Sequence, residues 1–201
     1  MTLEDFKKIY DKPGSIVLIE GKRKVKETEK ESLVQLGKIL AEQTKHITFR
    51  SGNAAGSDEL FSRGVCRVDP SRLMVITPYT GHRQKKNIAN QSISLDDINL
   101  EKEDEVLYYS KKNKKTKHLI DKYVKGERGR YAIKAAYIIR DTIKVIGTGK
   151  IKPVSLGIFY DDLNEPMSGG TGHTMDICLK NNIPVINQLK WMKWLNNTTQ
   201  H

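Results

Sequence analysis

HITFRSGNAAGSDELF, His46 to Phe61, is the stretch whose reading decides the fold. Its first half, HITFRSG, is a short run of β-branched and aromatic residues that stops at glycine, which reads as a strand ending in a turn. Its continuation, AGSDELFSRGV, reads as a helix with Leu60 and Phe61 turned inward. Between them Gly52 and Gly56 permit a positive φ or a close backbone approach, while Ala54 and Ala55 keep the turn slim. Free amide groups and the positive end of the helix dipole then meet at the helix start, an arrangement suited to anions. Ser57 or Asp58 is placed to cap that helix, and Asp58 is equally suited to accept a hydrogen bond from a ribose hydroxyl.

Working outward, the same alternation repeats. Upstream, SIVLIEG (Ser15 to Gly21) is a candidate buried strand. ETEKESLVQLGKILAEQ follows it and places Leu33, Leu36, Ile39 and Leu40 on one helical stripe. Downstream, SRLMVITP (Ser71 to Pro78) reads as a third strand. Tyr79 to Lys111 has no sustained period and is expected to be a long excursion or insertion with at most one short helix. KHLIDKYV and RGRYAIKAAYIIRD read as helices, with Tyr131, Ala135, Ile138 and Ile139 on the packed side. TIKVIGTG and PVSLGIFY read as strands, then a helix through MDICLKNN, a last strand IPVINQ and a terminal helix around LKWMKWL. Trp191 and Trp194 are expected to dock that last helix. Strands alternating with helices along 201 residues predict one α/β domain, a doubly wound and mostly parallel sheet with helices on both faces.

A second glycine turn follows the strand PVSLGIFY. In PMSGGTGHTMDIC (Pro166 to Cys178), Gly169, Gly170 and Gly172 leave backbone amides bare, and Ser168, Thr171 and Thr174 add hydroxyl donors. Together they predict a nest for a phosphate at a helix start. His173 stands inside this run, suited to donate to phosphate or to move a proton, and Asp176 is placed to face the same pocket.

Composition narrows the classes. The chain is 37% hydrophobic and 29% charged, with a net charge of +11, a globular composition with no apolar run of about 18 residues for a membrane span. The N-terminal MTLEDFKKIYDKPG lacks a secretory apolar core, and Cys66 and Cys178 stand in no metal-like spacing. A reduced, cytoplasmic setting is expected. Eight lysines and two arginines between Lys111 and Lys134 face two acids, a basic patch that suits nucleic acid or a nucleotide. Five scattered histidines, His46, His82, His118, His173 and His201, predict no metal site. GTGK (Gly147 to Lys150) does not complete a P-loop, because Lys144 and Ile151 stand where a glycine and a Ser or Thr are needed.

These motifs resemble the SLOG superfamily, the Rossmann-like group that contains DprA and the LOG phosphoribohydrolases. SGNAAGSDEL is similar to that group's SGGARGAD-type turn, with Asn53 at a glycine position and Ala55 at an arginine position. SGGTGHTMD is similar to the LOG-type PGGxGTxxE motif, with Ser168 for proline, His173 for threonine and Asp176 for glutamate. GKRK, Gly21 to Lys24, stands where relatives carry a GSR-like turn, and the nearest flavour is the YspA-like branch. The resemblance implies a nucleotide or nucleotide-derived ligand held by Gly21, Arg23, Ser51, Gly52, Asn53, Ala54, Gly56 and Asp58 from the first half. From the second half it adds Arg130, one of three candidates with Arg128 and Arg140 for a companion arginine, and Ser168 to Thr174. No resident cofactor or metal is implied. Two alternatives stay open: cleavage of a nucleoside monophosphate by Asp176 with His173, and DprA-like binding of single strands through Lys111 to Lys134. Relatives often pair as homodimers.

Overall fold

Val17 and Ile19 pack into one hydrophobic layer and Ile16 and Leu18 into another, and all four are buried. A strand covered on both faces must read as a continuous apolar run, and this one belongs to an all-parallel sheet. The computed structural model describes residues 1–198, so His201 lies outside the described residues. Its strands are β1 (Ile16–Gly21), β2 (Thr48–Ser51), β3 (Leu73–Thr77), β4 (Gln91–Ser94), β5 (Leu156–Tyr160) and β6 (Val185–Ile186). They run in the order β4-β3-β2-β1-β5-β6. Every neighbouring pair is parallel, with Val17 opposite both Phe49 and Leu156.

The helices are α1 (Leu3–Tyr10), α2 (Lys30–Gln43), α3 (Ser57–Cys66), α4 (Asp104–Ser110), α5 (Lys117–Val124), α6 (Ala132–Ile146), α7 (Gly169–Lys180) and α8 (Gln188–Thr198). Residues of α1, α2, α3 and α8 share one core with Val17, Ile19, Phe49 and Ile158. Residues of α4 to α7 form two cores on the opposite face. This is a doubly wound, Rossmann-like α/β fold. Leu33, Leu36 and Leu40 are buried as their spacing predicts, with Ile39 half-buried at the stripe's edge. Trp191 and Trp194 dock α8: their rings lie 5.9 Å from Phe61 and 5.4 Å from Phe6.

Three expectations are corrected. TIKVIGTG is not a strand, because α6 runs on to Ile146. Ala135, Ile139 and Ile143 recur every fourth residue and are fully buried, so packing overrides the local preference of Thr142, Ile143 and Val145 for extended backbone. Tyr131 is not packed: it precedes the first turn of α6 and is 56% exposed. Between Tyr79 and Lys111 the short helix is α4, but a strand that the sequence did not suggest, β4, lies there as well. QSIS in β4 pairs on one side only, at the sheet's edge, so its polar residues never form an apolar run.

Candidate functional site

The chain winds outward from β1 through β2 and β3 to β4, then crosses back to place β5 on the other side of β1. The connection leaving β1 enters α2 on one face, and the connection leaving β5 enters α7 on the other. The carboxyl ends of β1 and β5 are therefore left uncovered between them, which is where doubly wound proteins bind ligands. A cleft of about 340 Å³ opens there. Glu20, Gly21, Lys22 and Arg23 come from the end of β1, Asp161 and Asp162 from the end of β5, and Ser168 to Thr171 from the start of α7. Tyr137, Arg140, Asp141 and Lys144 of α6 form another wall, and Ala54 and Asp58 reach in from the turn after β2. Residues of the two glycine turns, more than 100 positions apart, thus line one cleft.

The turns differ in what they offer. In the first, Asp58 is 2% exposed, and its carboxylate already accepts from the amides of Gly21 (3.3 Å), Gly52 (3.1 Å) and Ala54 (3.3 Å). The helix start is capped by neither Ser57 nor Asp58: Ser57 donates to the Lys22 carbonyl at 2.7 Å. Gly56, at φ +84°, holds the N-cap position against the backbone of Arg23. Asn53 adopts φ +52° and donates to the His82 carbonyl at 3.0 Å, and Ser51 is buried at the strand's end. This turn contains its own anion, so the expected phosphate nest is filled by a side chain.

The second turn is open. Its glycines form the first turn of α7 rather than a loop before it. Ser168 is the N-cap in extended conformation and makes no side-chain cap, and the first intrahelical bond runs from Gly172 N to Ser168 O at 3.0 Å. Gly169 takes φ +62°, and at Gly172 a Cβ would overlap the carbonyl of Met167. The amides of Gly169, Gly170 and Thr171 are the donors that a helix cannot pair within itself. Thr174 is buried and donates back to the Gly170 carbonyl at 3.0 Å, away from the cleft.

His173 and Asp176 do not reach this cleft. They follow Gly169 at helical spacings of four and seven, on a stripe that turns toward Tyr109, Lys112 and Asn113. Asp176 pairs there with Lys180. Burial holds the His173 imidazole below its ordinary pKa, against the opposing pull of Asp141, so it is neutral at pH 7. Arg130 lies in a wider groove of about 640 Å³ that shares Arg23, Tyr137, Asp141, Gly169 and Gly170 with the cleft and continues to Lys134.

Beneath the cleft lies a set of charges that the motifs did not reveal. Lys144 is 3% exposed and pairs with Glu20 and, at 2.9 Å, with Asp141. Arg140 also meets Asp141, at 3.1 Å, and donates to the Gly52 carbonyl at 2.7 Å. Burial raises the Glu20 carboxyl to about 7, against the pull of Lys144 and with Asp141 and Asp58 pushing the same way. Burial would also raise Asp141, but Arg140 and Lys144 outweigh it and hold that carboxyl below its usual range. Lys144 is pushed down by burial and by Arg140, yet Asp141 and Glu20 keep it above its ordinary value and charged. Glu20 is therefore the group that titrates near neutrality. Tyr137 closes the upper wall, with the guanidinium groups of Arg23 and Arg140 at 5.4 Å and 5.2 Å from its ring.

Among the described residues no helix is long and apolar enough to cross a membrane. Nor is any group of three or more His, Cys, Asp or Glu placed to hold a metal ion. Parts of the basic segment are engaged internally: Lys111 pairs with Asp121 at 2.7 Å, and Arg128 stacks on Tyr123 at 4.1 Å.

Fold and cleft together define a doubly wound α/β protein with a crevice at its switch point. No family model and no curated protein matches the chain. Among solved structures the chain is similar to DNA processing protein A from Helicobacter pylori, studied for its single-stranded DNA binding mode. The two share 14% identity at a TM-score of 0.48, over 90% of this chain and 67% of that one.

Proposed function

We propose that this protein binds a nucleotide or nucleotide-derived ligand in the switch-point cleft, with a phosphate seated on the first turn of α7. The observation that carries the reading is the uncapped start of that helix, aimed into a cleft whose rim holds Lys22 and Arg23. Three amides that the helix leaves unpaired, the helix dipole and the Arg23 guanidinium favour a phosphate in the same place, with Lys22 beside them paired to Asp162 at 2.6 Å. Tyr137 and Arg23 offer a stacking wall for a base.

Replacing Ser168 with aspartate tests this directly. An aspartate N-cap accepts from the amides of the first turn and stabilises the helix, so the variant keeps or raises the wild-type melting temperature. Its carboxylate also occupies the phosphate position, and affinity falls at least tenfold, about 1.4 kcal/mol. The measurement is isothermal titration with nucleoside mono-, di- and triphosphates, ADP-ribose and cyclic nucleotides. Binding that is unaltered in Ser168→Asp overturns the phosphate placement.

The continuity of the cleft with the groove at Arg130 and Lys134 favours a second reading, a single strand whose backbone follows that groove. Here anisotropy with a labelled oligonucleotide is expected to show affinity falling steeply with salt. Neutralising Lys114, Lys115, Arg130 and Lys134 together is expected to flatten that slope. Equal binding by this variant at all salt concentrations removes the reading.

A further inference from the structure

Asp161 follows β5 directly, lines the cleft and is 3% exposed. One of its oxygens, Oδ2, accepts from the Met167 amide at 3.0 Å, while the other, Oδ1, is buried with no hydrogen-bond partner among the described residues. Its backbone is fixed from behind by Gln188, whose side chain accepts from the Asp161 amide at 3.0 Å and donates to its carbonyl at 2.7 Å. A fixed, buried carboxylate oxygen without a donor is costly in any fold, and native structures rarely keep one without use.

Resting on the phosphate reading of the cleft, we infer that Asp161 Oδ1 receives a sugar hydroxyl, so that the ligand is a pentose phosphate unit recognised through its ring hydroxyls. Three observations lead there. The phosphate-bearing ligand of that reading is anionic and brings no cation to this oxygen, and no metal-holding group exists among the described residues. A neutral O–H is the donor that remains. The spacing also fits: Asp161 holds Met167, and Gly169, the first amide of α7, is two residues further, a span of at most about 7 Å. One sugar phosphate is therefore long enough to reach both the amides of α7 and this carboxylate. Residues 163–166, between Asp161 and the Met167 contact, are exposed, so they can yield to an entering hydroxyl while the Met167 bond and the first turn of α7 stay in place.

The test is titration of the full chain with the four nucleoside 5′-monophosphates, each compared with its 2′-deoxy and 3′-deoxy analogues. Loss of a hydrogen bond to a charged acceptor is expected to weaken one of the two deoxy series by about tenfold to a hundredfold. Asp161→Asn keeps an oxygen for the Met167 amide but puts an amide where Oδ1 stands, and the discrimination should fall below about threefold. Parent and deoxy forms that bind wild type equally overturn the hydroxyl assignment and leave the phosphate reading intact. Full discrimination persisting in Asp161→Asn overturns the role of this residue. Absence of binding by every monophosphate overturns both.

Discussion

Replacing Lys144 with methionine is expected to cost about 3–5 kcal/mol of stability at pH 8, because it leaves two carboxylates buried without their shared cation. Lys144 and Glu20 are 3% and 5% exposed in their side chains, and Asp141 only 10%. Arg140 remains for Asp141, but Glu20 has no second ion-pair partner among the described residues. A neutral pair, Glu20→Gln with Lys144→Met, should recover most of the loss, as buried ion pairs replaced whole are often near neutral in stability. The pH dependence has a definite sign. The fold raises Glu20 from 4.5 to about 7, so the folded state holds the proton more tightly than the unfolded chain. Stability from this group is full below pH 4.5 and is lost as pH rises through 7, a contribution of about 3 kcal/mol. Urea unfolding at pH 5 and pH 8 should show that fall in the wild type and lose it in Glu20→Gln. A cost below about 1 kcal/mol for Lys144→Met at pH 8 would show that these charges are not desolvated as their burial implies.

The alternation that decides the architecture was legible because strands such as IVLIE and helices such as SLVQLGKIL carry their burial in local periodicity. The meeting of the two glycine turns was legible too, since a doubly wound sheet gathers such turns at one edge. What failed was the reading of segments whose state depends on distant partners. Thr142 to Ile146 has the β-branched content of a strand, and only its phase relative to Ala135 and Ile139 marks it as helix. Edge strand β4 has too few apolar residues to register. At the site, Asp58 reads from the sequence as a helix cap or a partner for a ribose hydroxyl, and nothing local indicates that its carboxylate takes the amides of Gly21, Gly52 and Ala54 instead. The sequence did hold one unused signal for the buried charges. Glu20 ends the apolar run IVLI and Lys144 sits within TIKVI, and a lone charge in each of two buried segments requires a partner of the other sign. Asp161 carried no comparable mark, since YDDLN reads as an ordinary polar loop.

Asp58→Ala should be as damaging as the loss of Lys144, for a different reason. The wild-type carboxylate joins the end of β1, through Gly21, to the turn after β2, through Gly52 and Ala54. Hydrogen bonds to a charged group contribute about 1.5–3 kcal/mol each, and three sharing one acceptor are not additive, so the expected loss is about 3–5 kcal/mol. Asparagine is a poor substitute, because its amide nitrogen would face an N–H donor on one side. The vacated position is a small cavity lined by the amides of Gly21, Gly52 and Ala54, converging donors that suit an anion. Added acetate should therefore enter it and raise the melting temperature of Asp58→Ala, while the wild type, whose carboxylate already fills the position, gains nothing there. The stabilisation should grow with the logarithm of acetate concentration once sites are mostly filled. Equal responses of the two proteins to acetate would mean that the amides of Gly52 and Ala54 rearrange on losing Asp58, and that the turn has no lasting shape of its own.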